Sequence, residues 1–310
     1  MSQDLSIWSQ EPAMLGQAHL SRRRKRRLLP AILAALLLLP LLLAAWGFLV
    51  EPRQLTVTRL TIRSEQVPPA WDGRLIAFFS DAHLGSTYPP ARLARLEAAI
   101  LAAKPDLILF GGDLIDHRTP DDTDFIAEAS AYLAALQAPL GKYAVAGNHD
   151  NRLRAEYRLM SAILDAGGFT VLDNQSVVLD GLWLGGLAES YFGQPDVALT
   201  FSGAGLLAAP GAPSDLTEPL FRLLLMHQPD YAAGLPAGSA DLVLSGHSHN
   251  GQVALLGRPL ITVYQGSQYP YGLYELENGS RLVVSRGLGT VGLPVRFGAP
   301  PELVLITLQR

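Results

Sequence analysis

Leu75-Ile76-Ala77-Phe78-Phe79-Ser80-Asp81-Ala82-His83 is a run of five apolar residues that stops at a hydroxyl, a carboxylate and an imidazole. An apolar run without polar alternation reads as a strand buried on both faces. The pattern recurs twice downstream. Leu107-Ile108-Leu109-Phe110 ends in Gly111-Gly112-Asp113, and Lys142-Tyr143-Ala144-Val145-Ala146 ends in Gly147-Asn148-His149-Asp150. Between these runs, residues 92–104 place Leu93, Leu96, Ile100 and Leu101 on one side of a helix. Further helices are predicted over 123–137 and 154–166. Strand, polar turn and helix, three times over, predict a parallel sheet with helical crossovers. Ligands of such sheets lie beyond the C-terminal strand ends, where the polar residues fall here.

Working outward, a strand is expected near 60–63, after a tether. The second half has more strands and fewer helices. Strands are predicted at 177–179, 182–184, 220–226, 241–245, 261–263, 272–275, 282–284 and 302–308. Residues 189–219 are loop-rich and read either as a rim or lid over a site or as a surface insertion. The expected class is α/β, with two facing sheets in one domain and helices outside.

Leu28 to Val50 is 23 positions without a charge. A helix of that length spans the roughly 30 Å apolar core of a bilayer. Arg22-Arg23-Arg24-Lys25-Arg26-Arg27 directly precedes it, against Glu51 and Arg53 on the other flank. That asymmetry predicts a cytoplasmic N-terminus. The expected organisation is a basic cytoplasmic tail (1–27), a bilayer anchor (28–50), a linker (51–59) and an extracytoplasmic domain (60–310). A cleaved signal peptide is the alternative. The run is long for one and no clean small-x-small site follows it, so an uncleaved single-pass anchor in the cell membrane is expected.

Of the 310 residues 49% are apolar and 17% charged, which excludes disorder as the main state. The 29 Gly and 22 Pro disfavour a simple helical bundle. With no Cys there is no disulfide, thiolate nucleophile or cysteine metal site. Residues 51–310 carry 18 Lys/Arg and 26 Asp/Glu, a net of −8. Such a body is a poor binder of polyanions, so no nucleic-acid partner is expected. It suits cations where its carboxylates converge.

Five of the seven His stand just after buried strands: His83, His149, His227, His247 and His249. His19 is in the tail, and His117 reads as a solvated turn residue. Imidazole and carboxylate together suit borderline divalent metals such as Mn, Fe, Co and Zn. One strand-end His is more often a hydrogen-bonding residue; five such motifs in succession point to a metal centre.

The order Asp81-x-His83, Gly112-Asp113-x-x-Asp116, Gly147-Asn148-His149-Asp150, a lone His227 and Gly246-His247-x-His249 resembles the calcineurin-like metallophosphoesterase superfamily. The resemblance covers about residues 60–310. Ser285-Arg286-Gly287-Leu288-Gly289-Thr290 and Pro294-Val295-Arg296-Phe297-Gly298 are similar to a bacterial membrane-associated phosphodiesterase branch, some of whose members resemble UDP-2,3-diacylglucosamine hydrolases. The resemblance implies a four-layer αββα sandwich of two mixed sheets and two divalent metal ions. Asp81, His83 and His249 would hold the first ion, Asn148, His227 and His247 the second, and Asp113 would bridge them. Mn²⁺ is the first expectation; Fe, Zn, Co and Ni remain open.

His149 would act beside the scissile phosphate as general acid or transition-state stabiliser. Asp150 would orient it, or cap the turn, and Asp116 would brace the loop. Two ions roughly 3.5–4 Å apart can hold a hydroxide for in-line attack on a phosphorus centre. Arg286 and Arg296 are candidates for a second phosphate, with surface or ion-pair roles as the alternative. Tyr191-Phe192 and Tyr269-Pro270-Tyr271 could line the site.

The expected activity is hydrolysis of a phosphodiester or diphosphate bond in a small-molecule, lipid-linked or sugar-nucleotide substrate, by a protein expected to be a monomer. A phosphomonoesterase, nucleotide phosphodiesterase or nuclease of the same fold is the alternative. A non-catalytic tethered binding protein is a further reading, against which the intact ligand set stands.

Overall fold

The computed structural model describes residues 30, 33–202, 206–207 and 221–310. His19, the basic run 22–27, Leu28, Leu29, Ala31, Ile32 and much of the 189–219 loop lie outside the described residues. The chain divides into two compact units, Met1–Trp46 and Gly47–Arg310. One helix among the described residues, Leu33–Arg53, is long and apolar enough to cross a membrane.

The second unit is built on two six-stranded sheets. The first contains β1 (Thr56–Arg63), β2 (Leu75–Phe79), β3 (Leu107–Phe110), β4 (Lys142–Ala144), β5 (Thr170–Val171) and β14 (Glu302–Gln309), in the order β1-β14-β2-β3-β4-β5. Strands β2 to β5 run parallel, joined by the three predicted crossover helices α1 (Leu93–Ala103), α2 (Thr123–Ala135) and α4 (Arg154–Ala166), the last preceded by a short helix α3 (Asn148–Asn151) where a turn is expected. C-terminal β14 enters antiparallel to β2 and pairs in parallel with β1, Thr56 opposite Glu302.

The second sheet has the order β12-β13-β9-β8-β7-β6. Its members are β6 (Gln175–Leu179), β7 (Leu182–Gly186), β8 (Phe221–Leu225), β9 (Leu242–Ser245), β12 (Gly272–Glu275) and β13 (Arg281–Val284). The four central strands are parallel, and each edge strand is an antiparallel hairpin partner.

Strand side chains alternate between faces, so each apolar run serves two cores. Ile76, Phe78, Leu107 and Leu109 meet Leu184, Leu223, Leu225 and Leu244 between the sheets. Ala77, Phe79, Ile108 and Phe110 face outward onto Leu93, Leu96, Leu133, Met160 and Ile163 of the helices. On the far side of the second sheet, Trp183, Leu224 and Val243 are covered by Ala232 and Leu235 and by Phe201 of the short α5 (Val197–Phe201). This fourth layer is thinner than the helical one, because the connections there lack a long helical period.

Three expectations change. Residues 261–263 form no strand; they follow a two-residue hairpin, β10 (Ala254–Leu255) with β11 (Arg258–Pro259), and pair with no strand among the described residues. Their β-branched composition finds no strand partner, so propensity is overridden. Strand β1 starts at Thr56, earlier than its composition indicates, because it is an edge strand with one face half exposed. Within 51–59, Glu51 is buried, and its carboxylate accepts from the Ala299 amide at 2.8 Å.

Candidate metal centre

The turns after β2, β3, β4, β8 and β9 gather at one end of the sandwich. Asp81 and His83 follow β2, Asp113 follows β3, Asn148 and His149 open α3, His227 follows β8, and His247 and His249 follow β9. Ligand atoms of Asp81, His83 and His249 lie within 4.8 Å of one another, as do those of Asp113, His227 and His247, and of His83, Asp113 and His149. The Asp113 Oδ2 is 3.2 Å from His227 Nε2 and 3.6 Å from His83 Nε2, so this carboxylate stands between the two groups.

Close backbone approach makes the gathering possible. At Gly246, a Cβ would stand 2.3 Å from Asp81 Oδ2 and 2.6 Å from Ser80 Oγ. At Gly112, whose φ is +91°, it would stand 2.8 Å from His227 Nδ1. The donors themselves adopt left-handed backbone: Asp81, His83, Asp113, His247 and His249 all have φ between 45° and 69°. Non-glycine residues rarely do so without a functional constraint.

Hydrogen bonds fix the tautomers. A carbonyl can only accept, so His227 Nδ1–H donates to Gly111 O at 2.8 Å and Nε2 carries the lone pair. By the same argument His247 Nε2–H donates to Tyr264 O at 2.9 Å, leaving the lone pair on Nδ1. These two lone-pair nitrogens are 3.2 Å apart. His83 Nε2 and His249 Nε2 are 3.1 Å apart. The buried lone pairs of His227 Nε2 and His247 Nδ1 at such a distance need a positive charge between them. The Asn148 Oδ1 is also buried without a hydrogen-bond partner. This donor set of imidazole, carboxylate and amide oxygen fits two divalent cations.

The protonation pattern of the metal-free centre agrees. Burial lowers the pKa of His83 to about 3 and that of His247 to about 4. Burial also raises that of Asp81 to about 6, with the Asp113 charge adding to it. For His227 burial is outweighed by the Asp113 and Asp81 carboxylates, which push the pKa up to about 10. A proton there supplies the positive charge that a cation would bring.

His149 is partly exposed and lines the cavity in front of the donors. Burial opposes its protonation, yet Asp113 and Asp116 push its pKa up to about 9. Asp116 Oδ1 faces its Nδ1 at 3.7 Å. Asp150 is turned elsewhere: its carboxylate accepts from the Gly147 amide at 2.9 Å and the Ile115 amide at 3.0 Å. The turn-capping alternative therefore describes Asp150, and Asp116 is the carboxylate beside His149. His117 is exposed against Asp116.

Neither arginine singled out in the sequence lines the cavity. Arg286 pairs with Glu302 at 2.8 Å and lies over the Tyr271 ring. Arg296 is fully buried; it donates to Gly289 O and Ala299 O, and its Nη2 is 3.2 Å from His249 Nδ1. Tyr271 is held by Glu302 and Tyr269 packs against the outer core of the second sheet. Of the aromatic pairs only Tyr191 reaches the site, its hydroxyl 3.1 Å from His247 Nε2.

Two features escaped the sequence reading. Buried Glu189 accepts from the amides of Tyr191, Phe192 and Gly193, which fixes the start of the 189–219 loop and places Tyr191. Together with the donors, Val253, Ile261, Val263, Val291, Leu293 and Val295 line the same cavity as its apolar wall; its volume is about 630 Å³. Ile261 is 72% exposed and Leu293 64%. Three apolar residues within 260–263, directly after Pro259, are the available signal, and they read equally well as a strand.

Known proteins carry the same frame. The chain is 36% identical over 266 residues to the uncharacterised metallophosphoesterase YkuE of Bacillus subtilis, covering 84% of this chain and 87% of that one. It is 27% identical over 331 residues to the UDP-2,3-diacylglucosamine pyrophosphatase LpxG of Chlamydia trachomatis, covering 89% and 96%. It is also 27% identical to a transmembrane protein with metallophosphoesterase domain from Bos taurus, covering 94% of this chain and 64% of that protein. The family described as calcineurin-like phosphoesterase matches residues 74–251, from the strand that leads into Asp81 to the turn that follows His249. The chain belongs to that family and is a metal-dependent phosphoesterase.

Proposed function

We propose that the protein hydrolyses a phosphodiester or diphosphate bond of a lipid-linked substrate. The observation that carries this reading is the cavity itself, which polar donors and exposed apolar side chains line together. A soluble phosphate ester has no use for Ile261 and Leu293 at the mouth of the site; an acylated one can cover them. LpxG, by its name, acts on a diacylated sugar nucleotide, and the similarity to it supports the same substrate class.

Asp81, His83 and His249 would hold one divalent cation, and Asn148, His227 and His247 the other, with Asp113 shared. Mn²⁺ is the first candidate. Bound divalent cations supply Lewis acidity toward phosphate oxygens and a water nucleophile at neutral pH.

The chain's own contribution is positional and protonic. Gly111 O and Tyr264 O set the ring orientations of His227 and His247. His149, held protonated by Asp113 and Asp116, presents a proton on the open side of the centre, where it can meet the leaving oxygen. Tyr191 narrows the mouth beside His247. Residues 28–50 anchor the chain in the membrane, with the N-terminus cytoplasmic and the catalytic domain outside, on the argument of the basic flank.

The test compares a diacylated sugar-nucleotide diphosphate with an aryl phosphodiester, using the full chain in detergent with added Mn²⁺. The lipid substrate is expected to show the higher kcat/KM. Equal turnover of an unacylated analogue would remove the lipid assignment. Absence of hydrolysis with any of Mn, Fe, Zn, Co or Ni would remove the two-cation chemistry.

A further inference from the structure

A second cavity, of about 260 Å³, shares no lining residue with the metal-site cavity. Arg53, Arg92 and Arg95 stand around it, with Leu55 and Leu96 among the apolar remainder. Arg53 follows the last residue of the apolar run, Val50, by three positions. Arg92 and Arg95 flank the start of α1, whose first turn holds no acidic residue and whose N-cap makes no side-chain bond. The positive end of that helix adds to the same field.

The arginines have few partners. The arginine ion pairs among the described residues belong to Arg74, Arg152 and Arg286. Arg53 caps the preceding helix through Phe48 O and Leu49 O, Arg95 donates to Arg53 O, and Arg92 lies over the Tyr88 ring at 5.5 Å. A guanidinium has five donors, so these contacts leave most of them over. Burial lowers the pKa of Arg92, and the charges of Arg53 and Arg95 push it the same way. In a body of net −8, three cations crowd around a cavity that no carboxylate among the described residues lines. Such crowding is unfavourable without an anion.

We propose that this cavity binds the phosphate group of an anionic membrane lipid. The planar guanidinium matches phosphate oxygens two at a time. The position of Arg53 just past the apolar run puts the cavity at headgroup level, whichever leaflet the run ends in. The half-buried Leu55 suits the glycerol-side carbons of such a lipid. No metal-donor residue takes part, so this site is independent of the catalytic reading.

The test uses the full chain in zwitterionic detergent, titrated separately with dihexanoyl phosphatidylglycerol, dihexanoyl phosphatidylcholine and inorganic phosphate, with binding read by calorimetry. Phosphatidylglycerol is expected to bind about tenfold or more tighter than phosphatidylcholine, and Arg92→Gln/Arg95→Gln to lose about tenfold or more of that affinity. Hydrolysis of an aryl phosphodiester by the double variant, unchanged from wild type, reports that the fold and metal centre are intact. Arg258→Gln, a cation elsewhere on the body, is expected to bind like wild type. Equal affinity for the two lipids, or a double variant that binds phosphatidylglycerol as wild type does, overturns the proposal. Inorganic phosphate that binds as tightly as phosphatidylglycerol, and loses affinity in the same variant, assigns the site to free phosphate and overturns the lipid source.

Discussion

The two sides of the metal-site cavity are made from opposite materials. On one side Asp81, His83, Asp113, His247 and His249 are buried, and each holds a left-handed backbone conformation. Such conformations cost roughly 1–3 kcal/mol apiece and persist only where the surroundings over-determine them. On the other side Ile261, Val263 and Leu293 sit on loops with ordinary backbone and open access to solvent. The polar side is fixed before any ligand arrives. On the apolar side Ile261, Val263 and Leu293 stay open to solvent until something enters. Chemistry therefore belongs to the first side and substrate choice to the second, and variants on each should fail in different ways.

The largest effect is expected at Asp113, which stands between the two donor groups. Asp113→Asn keeps the shape and removes the charge. A fall in kcat of about 10³-fold or more is expected, with the aryl and lipid substrates affected alike. Metal analysis of the purified variant should show fewer than two ions per chain. A variant that kept both ions and most of its rate would break the division at its strongest point.

His149 comes next, because it sits on the polar side without belonging to either three-residue metal group of Asp81 or His227. His149→Ala should lose about 10²–10⁴-fold in rate while retaining its metals. Asp116→Asn should reproduce part of that loss and shift the alkaline limb of the pH–rate profile to lower pH, since Asp116 helps to hold the His149 proton. Metal loss in His149→Ala would move this residue into the ligand set.

Much of the polar side was legible in the sequence, and the reason is local. A ligand must lie at a strand end, so Asp81-x-His83, Asp113 and His247-x-His249 announce themselves as polar residues interrupting apolar runs. Strands β2 and β3 and helix α4 were equally plain, since their periods are strong and uninterrupted. The apolar side was illegible for the same reason. Leu260-Ile261-Thr262-Val263 has the composition of a strand, and only the lack of a pairing strand among the described residues decides otherwise. Arg286 and Arg296 stay open in the sequence between a phosphate and an ion-pair role, because a guanidinium near a metal motif looks alike whether it faces substrate or, as Arg296 does, buries itself among carbonyls and braces His249. Glu189 carried no signal, since its partners are backbone amides.

Protons sharpen the contrast further. Cation binding must displace whatever protons the donors hold. His83, His247 and His249 are already neutral near pH 7, their pKa values lowered by burial. His227, raised to about 10, keeps one proton, and Asp81, raised to about 6, gains a second only in acid. Overall metal affinity should therefore rise about tenfold per pH unit between roughly pH 6.5 and 9, and more steeply below 6. Equilibrium dialysis against Mn²⁺ across that range measures it. A flat profile from pH 7 to 9 would mean that His227 is not displaced from its proton and is no ligand. The apolar wall should contribute nothing to this slope.

The smallest and most selective effect is expected on the wall itself. Ile261→Ser and Leu293→Ser remove apolar surface that is exposed in the free protein, so stability should change by no more than about 0.5 kcal/mol. Neither residue belongs to a metal-donor group, so metal content and turnover of an aryl phosphodiester should stay as in wild type. An acyl chain lying against the wall loses contact worth about 1–3 kcal/mol for each side chain removed. That predicts a rise in KM for the acylated substrate of about tenfold per substitution, with kcat nearly unchanged. A ladder of substrates with progressively shorter acyl chains should show the penalty shrinking to nothing as the chain ceases to reach the wall. Equal penalties for aryl and acylated substrates would mean that these residues position the metals indirectly, and the division between the two sides would fail.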